Sequence, residues 1–346
     1  MASSSNRQWL LRRRPEGQLR MDDVELADGD QDVRPLRDGE IRVRNLLFLY
    51  APTMRNWMEA PGNSLYPSIP LGSPVKALAA GRVVDSRDDR FAVGSRVVSL
   101  SCWSDYDIID TARTPPQPIA DGITAIEAVG VFGLNTLTAY FGLMRVGQPV
   151  AGETLVVSAA AGSTGSIAAQ IGRIKGCRVI GIAGGKDKCA WLIEKCRLDG
   201  VIDYRSENVA EALHALCPNG IDIFYDNVGG DILQAAVDQM ARFGRIVLCG
   251  QIGGYNEGGP VPGFTNMMRL IYGSIRVQGF LYSDYLADIP KALEDIIPWV
   301  RSGEIVTRQD IRSGFDNLPL NFNALFDGSN QGTLLGVIHE DAFASR

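Results

Sequence analysis

The chain has 346 residues, 45% hydrophobic and 21% charged, a composition that predicts a globular enzyme long enough to divide into two lobes. Its net charge of 34 − 40 = −6, with no long basic stripe, argues against a nucleic-acid partner. No apolar stretch reads as long enough to span a membrane, the opening MASSSNRQWLL lacks a signal-peptide core, and the 6 cysteines form no C-x-x-C, so the expectation is reduced thiols and a cytoplasmic home.

In chain order, Trp9 to Leu11 begin a first strand and Asp38-Gly39 marks a turn. The alternating Ile41-Arg42-Val43-Arg44-Asn45-Leu46 reads as a half-buried strand. Tyr50 to Pro74 reads as irregular, with prolines at 52, 61, 67, 70 and 74. Gly81 to Asp85 and Ser95 to Ser99 are further strands. The first part of the chain is therefore a mostly-β lobe. Helical pattern begins near Ile123, with a helix predicted over Thr136 to Met144.

Leu155-Val156-Val157 then runs into the small residues Ala159 to Gly165. Ile167, Ile171 and Ile174 follow at helical spacing, Gly176 stands where a helix would end, and Arg178 to Ile182 is a second strand. Strand, small-residue turn, helix and strand make the dinucleotide-binding unit, in which a pyrophosphate sits against the helix N-terminus. Set on G-x-G-x-x-G, the positions are Ala160, Gly162 and Gly165, with Ser163 and Thr164 between the two glycines. NAD binding calls for an acid about 20 residues into the motif. Here the strand ends Ile182-Ala183-Gly184-Gly185, followed by Lys186 and Lys188. An uncovered position at Gly184 beside two cations suits a 2′-phosphate and so NADPH, although two solvated lysines on a helical turn would give the same pattern.

Strands follow at Val201 to Tyr204, Ile221 to Tyr225, Arg245 to Cys249 and Ile275 to Phe280, and a helix at Ile289 to Val300. The fold class is α/β: a six-stranded, doubly wound parallel (Rossmann) sheet. The last segment, with Glu304 to Ile311, Leu318 to Phe326 and Thr333 to Ile338, rejoins the first lobe. The predicted domains are 1–125 with 305–346, the substrate lobe, and 126–304, the dinucleotide-binding domain. Ligands bind outside the carboxyl ends of such strands. That rule collects Gly162 to Gly165, Tyr204, Asn227, Cys249-Gly250 and Phe280 on one rim. Tyr255, on the glycine-rich loop GQIGGYNEGGP, is a candidate donor to a developing oxyanion; a tyrosine packed over its loop would read identically. Of the two histidines, His214 has Glu211 and Cys217 within a helical turn, yet no second ligand pair accompanies it, and no zinc site is predicted.

The segments NRQWLLRRRPEG, LTAYFGL at 137–143, AAAGSTGS at 159–166, YDNVGGD at 225–231, CGQIGGYN at 249–256 and IRVQGF at 275–280 together resemble one family. It is the zinc-free medium-chain dehydrogenase/reductase branch of prostaglandin reductases, leukotriene hydroxydehydrogenases, plant double-bond reductases and bacterial curcumin reductase. The resemblance spans nearly the whole chain. It implies a GroES-like substrate lobe, a homodimer, and NADPH-dependent reduction of the C=C bond of an α,β-unsaturated ketone or aldehyde. Carried over by motif, Gly162 to Gly165 hold the diphosphate, and Lys188 and Tyr204 the 2′-phosphate. Asn227 matches the D-N-V-G-G asparagine. Cys249, Gly250, Gln251, Ile252 and Tyr255 match the loop on the nicotinamide side, with Tyr255 holding the enolate oxygen. Phe280 and Leu281 match the carboxamide segment, and Asn330 a further cofactor contact.

Departures from the pattern lie on the substrate side. The family's D-P-Y-M-R is Ala51-Pro52-Thr53-Met54-Arg55, so Thr53 stands where an active-site tyrosine is usual. Its M-P-G-x-T-A-Y is Leu134-Asn135-Thr136-Leu137-Thr138-Ala139-Tyr140. Tyr66 and Trp103 are candidate pocket aromatics, although packing is the favoured reading for each. The departures predict a changed, bulkier substrate. A quinone or carbonyl reductase on the same fold, or a non-catalytic NADPH-binding sensor, are the other readings open to the sequence.

Overall fold

The computed structural model describes residues 5–29, 34–62, 68–256 and 263–345. Two compact units emerge: Met1–Gly130 with Gln309–Arg346, and Val131–Arg308.

The first unit opens with an antiparallel ribbon, β1 (Asn6–Leu11) and β2 (Val24–Gly29). β3 (Glu40–Leu49), β4 (Lys76–Ser86) and β5 (Arg96–Cys102) form an antiparallel core, with β6 (Tyr106–Asp110) paired to β3 and β7 (Gln117–Pro118) to β5. Helix α1 (Thr53–Trp57) interrupts the stretch expected to be irregular, and α2 (Ala125–Val129) follows β7. Five residues are too few to show a helical period, so α1 leaves little trace in sequence. It is fastened by Arg55, fully buried, which donates to the carbonyls of Gly17 at 3.2 Å and Pro15 at 2.7 Å and pairs with Glu59.

The second unit follows. Helix α3 (Leu134–Phe141) runs into a π-helical turn, Gly142–Gly147. The plain α-helix expected to Met144 gives way there; Tyr225 donates its hydroxyl to the Thr138 carbonyl at 3.1 Å, beside the Gly142 N–H that the same carbonyl accepts. A Cβ on Gly142 would lie 2.3 Å from Phe280 Cζ and 2.7 Å from that hydroxyl, so only glycine fits. Six parallel strands come next, joined by helices: β8 (Thr154–Val157), α4 (Ser163–Ile174), β9 (Arg178–Ala183), α5 (Lys186–Glu194), β10 (Gly200–Asp203), α6 (Val209–Leu216), β11 (Ile221–Asp226), α7 (Gly230–Gln239), β12 (Met240–Leu248), α8 (Met267–Gly273) and β13 (Arg276–Gly279), then α9 (Ile289–Arg301). The sheet order is β10-β9-β8-β11-β12-β13, the doubly wound order, and it reverses between β8 and β11.

Strand alternation explains why helices cover both faces. Leu155 and Val157 pack with Ile167, Ile171 and Ile296, whereas Val156 faces the other way, with Ile180, Phe224 and Leu233. The chain finally returns to the first unit with β14 (Gln309–Ser313), α10 (Leu318–Phe322), α11 (Ala324–Asp327) and β15 (Thr333–Val337); β15 pairs antiparallel with β3, which makes that lobe discontinuous.

One expectation needs correction. Ala125–Gly147 does have the length and apolar composition of a membrane span, and 67% of its most apolar window is buried. It is not one rod, since the chain leaves helical structure between Val129 and Leu134.

Helix α4 lies close on the sheet because of Gly172, where a Cβ would come within 2.2 Å of Leu155 Cδ2. Gly172→Ala forces the helix outward or Leu155 off its rotamer. The expected loss is about 1–3 kcal/mol of unfolding free energy, read by urea denaturation.

Candidate active site

The first strand–helix turn is built around a tight backbone approach. Ala159 takes a left-handed φ of 46°, and Ala160 donates to the Ile182 carbonyl at 2.9 Å. Ala160 replaces the usual first glycine, and the neighbouring strand makes room for its methyl: a Cβ on Gly181 would lie 2.9 Å from it. Gly162 is the N-cap of α4 and supplies no side chain to cap it. At Gly165 a Cβ would fall 2.4 Å from the Ala159 oxygen. The N-terminus of a 12-residue helix is thereby set directly behind a glycine turn, the arrangement that receives a phosphate. Ser163 and Thr164 occupy its first turn, and Asn135 Nδ2 donates to Ser163 Oγ at 2.8 Å.

At the end of β9, a Cβ on Gly184 would fall 2.7–2.8 Å from the Tyr204 ring and hydroxyl, so glycine lets the ring lie over this backbone. Tyr204 is 46% exposed. Gly185, at φ +95°, donates to Asp203 Oδ1 at 2.8 Å, and that hydrogen bond, foremost among its contacts, holds the Asp203 carboxyl below its usual range. The Asp203 carboxylate is therefore engaged with backbone, while Asp187 lies between Lys186 and Lys188 in the first turn of α5. Lys186 and Lys188 lie on the first turn of α5. The structure adds Arg205, whose Nη1 is 3.8 Å from where a Gly185 Cβ would be. No sequence motif singles it out; only the turn after β10 brings it to the same spot.

The switch-point rim is tied by Asp226, which is fully buried. Its carboxylate accepts from Ser158 Oγ at 2.8 Å, Val228 N at 3.1 Å and Gly229 N at 3.0 Å. Burial pushes its pKa up and these donors pull it back. Its backbone oxygen accepts from Cys249 N and Gly250 N. Asn227 donates its backbone N–H to Ser158 Oγ and its Nδ2 to the Ser158 carbonyl, both at 2.8 Å. Ile252 N donates back to the Asn227 carbonyl at 3.1 Å. The loop Cys249 to Tyr255 is thus stitched to the D-N-V-G-G loop. Gln251 N donates to the Tyr255 hydroxyl at 3.2 Å, and that hydroxyl lies 3.4 Å from the Cβ position of Gly250. Cys249 is no nucleophile in this setting, because burial pushes its thiol up to about 12.

Phe280, half-buried, packs its ring against Gly142 and the core; Leu281 is 41% exposed. In the first unit, Thr53 is half-buried at the start of α1, and Asn330 spends its Nδ2 on the Gly332 carbonyl at 3.0 Å. Trp103 is fully buried between Tyr50 and Phe322, with ring centroids 6.1 Å from each; it is a core residue, as its packing reading has it, and not a pocket aromatic. Tyr66 lies outside the described residues. Among the described residues no group of three or more His, Cys, Asp or Glu could hold a metal ion, so the side chains present do not fit a zinc centre.

A doubly wound sheet with this turn and a discontinuous β lobe define a medium-chain dehydrogenase/reductase. Family models described as the N-terminal domain of oxidoreductase and as zinc-binding dehydrogenase match residues 7–116 and 163–298. The chain is 34% identical over 339 residues to the NADPH-dependent curcumin reductase of Escherichia coli, covering 95% of this chain and 96% of that protein. It is equally 34% identical over 339 residues to the NADP(+)-dependent 2-alkenal reductase of Nicotiana tabacum, covering 97% and 98%. The crystal structure of CurA from Vibrio vulnificus in complex with NADPH superposes with a TM-score of 0.89 at 33% identity, covering 96% of this chain and 99% of that one. The chain belongs to the medium-chain dehydrogenase/reductase family of the curcumin, prostaglandin and 2-alkenal reductases.

Proposed function

We propose that the protein is an NADPH-dependent reductase of the C=C bond of α,β-unsaturated ketones or aldehydes. Full-length likeness to reductases of curcumin and 2-alkenals supports the class, and the observation that carries the chemistry is Tyr255. Its phenol oxygen accepts from Gln251 N–H at 3.2 Å, which orients the ring on a loop anchored to Asp226 and Asn227. A phenol hydroxyl is both an acceptor and a donor, and Tyr255 is the proposed donor to the substrate carbonyl oxygen as negative charge gathers there. A fixed donor of this kind contributes about 3 kcal/mol.

The cradle that a Cβ at Gly162 or Gly165 would crowd, and the cationic corner at Gly184, fit NADPH. When bound it supplies the hydride that reaches the β-carbon. Gly162, Ser163, Thr164 and Gly165 hold the diphosphate. Lys188 and Tyr204, with Lys186 and Arg205 nearby, receive the 2′-phosphate. Asn227, Cys249 to Ile252, Phe280 and Leu281 border the nicotinamide, and Asn330 is a further cofactor contact. Thr53 belongs to the substrate pocket, where a side chain smaller than tyrosine leaves room for a bulkier enone.

The sheet ends at β13, beside which α8 exposes Met267, Met268, Ile271 and Tyr272, at 56%, 53%, 66% and 78%. An open strand edge flanked by apolar side chains supports a homodimer joined there. Free cysteines at 102, 177, 189, 196, 217 and 249 support a reducing, cytoplasmic compartment.

Tyr255→Phe should lower kcat about 10²-fold with NADPH affinity unchanged; stopped-flow turnover beside a cofactor titration reads both, and unchanged kcat removes Tyr255 from the reaction. Lys188→Ala should weaken NADPH about tenfold or more while NADH changes little, because a charge-assisted phosphate contact is lost; equal weakening would mean that Lys188 does not read the 2′-phosphate. Sedimentation at micromolar concentration should give a dimer that Ile271→Glu converts to monomer, and a monomeric parent protein would refute the edge.

A further inference from the structure

Asp203 is the last residue of β10, half-buried and paired in register with Ala183 at the end of β9. One of its carboxylate oxygens, Oδ1, accepts two backbone N–H groups from two different turns. Gly185, in the turn from β9 into α5, donates at 2.8 Å, and Arg205, in the turn after β10, donates at 3.1 Å. The Ser206 side chain bonds to the same carboxylate. The rest of the second turn is fixed by backbone: Tyr204 N donates to the Ala183 carbonyl at 3.1 Å, and the Asp203 carbonyl accepts from Ser206 N at 3.0 Å and Glu207 N at 2.9 Å. The exposed Arg205 side chain is thereby carried to the corner at Gly184, with Nη1 3.8 Å from where a Gly185 Cβ would be.

By charge alone Asp203 is misplaced. It is an anion close to the corner proposed to receive a 2′-phosphate, and like charges repel. Nor does it serve as the acid that reads a ribose hydroxyl in NAD-binding sheets, since its Oδ1 is turned onto two backbone groups. We infer that Asp203 is a positioning residue for cofactor selection: by gathering the N–H groups of Gly185 and Arg205 on one oxygen it locks the two turns together and holds Arg205 where its guanidinium meets the 2′-phosphate. The inference rests on the proposed reading of this corner as the 2′-phosphate site. Charge and geometry predict opposite signs. If Asp203 only repels, removing it tightens phosphate binding; if it positions, removing it loosens the corner.

The test uses isothermal titration of the full chain with adenosine 2′,5′-bisphosphate and adenosine 5′-monophosphate, which differ by the 2′-phosphate alone. Asp203→Ala removes the acceptor and should weaken the bisphosphate about threefold to tenfold, while the monophosphate stays within about twofold of the parent protein. Asp203→Asn keeps an Oδ1 that can accept both N–H groups and removes the charge, so it should bind the bisphosphate at least as tightly as the parent protein. Arg205→Ala should weaken the bisphosphate selectively, because a charge-assisted contact is lost. In that background Asp203→Ala should cost little more, since the two residues act as one unit. A thermal scan checks that each variant is folded, and Arg205→Ala, on an exposed side chain, keeps the test open if Asp203→Ala unfolds.

Bisphosphate binding by Asp203→Ala as tight as the parent's, or tighter, would overturn the inference. So would an Asp203→Asn variant as weak as Asp203→Ala, because the acceptor would then not matter, or an Arg205→Ala variant that binds like the parent protein. Equal losses on both nucleotides would do the same, by showing a general structural effect. Parent protein that binds the two nucleotides equally well would instead strike the underlying reading, because the 2′-phosphate would gain nothing from this corner.

Discussion

The rim of the parallel sheet depends on a carboxylate with almost no water. Asp226 is fully buried at the end of β11, where an ion is costly unless its oxygens are satisfied. Ser158 from the end of β8 and the backbone of Val228 and Gly229 satisfy them. Its main-chain oxygen takes two N–H groups from the end of β12. One residue thus joins three strand ends at the place where the strand order reverses, and every proposed nicotinamide-side contact in the second unit except Phe280 and Leu281 hangs from that knot. Asn227 is oriented by Ser158, the Cys249 to Tyr255 loop is bonded to Asn227 and Val228, and Tyr255 is aimed by Gln251.

At the other end of the site, close packing does the same work by exclusion. Gly165, Gly172, Gly181 and Gly184 each sit where a Cβ would meet a neighbour within 3 Å. Two of these contacts seat α4, one makes room for Ala160, and one lets Tyr204 lie on the backbone beside Lys188 and Arg205. The polar rim fixes orientation and the glycines fix distance. Both are needed if a phosphate and a carbonyl are to be met at defined places.

Much of this was readable in the residues. The small-residue turn, the isoleucine spacing of α4 and the left-handed Gly176 after it, at φ +83°, are local signals, and local signals survive without a fold. The six-stranded doubly wound sheet followed from the repeated strand–helix alternation. What escaped was non-local or short. α1 is five residues held by a buried Arg55 whose partners lie far back in the chain. The π-helical turn carries no local signal, and Arg205 acquires meaning only when separate turns meet. Trp103 left two readings open in sequence, because an aromatic beside a predicted pocket and one inside a core look the same until its neighbours Tyr50 and Phe322 are in place. Asp226 did carry a signal, the D-N-V-G-G run, but its role as the knot needed Ser158 from another strand.

The most direct measurement is the fate of deuterium from 4-deuterated NADPH incubated with the protein and a bulky enone, followed by NMR of the product. The account predicts a saturated ketone that keeps its C=O and carries deuterium on the former β-carbon. An alcohol labelled at the former carbonyl carbon, or cofactor that stays reduced across a panel of enones and enals, would contradict it.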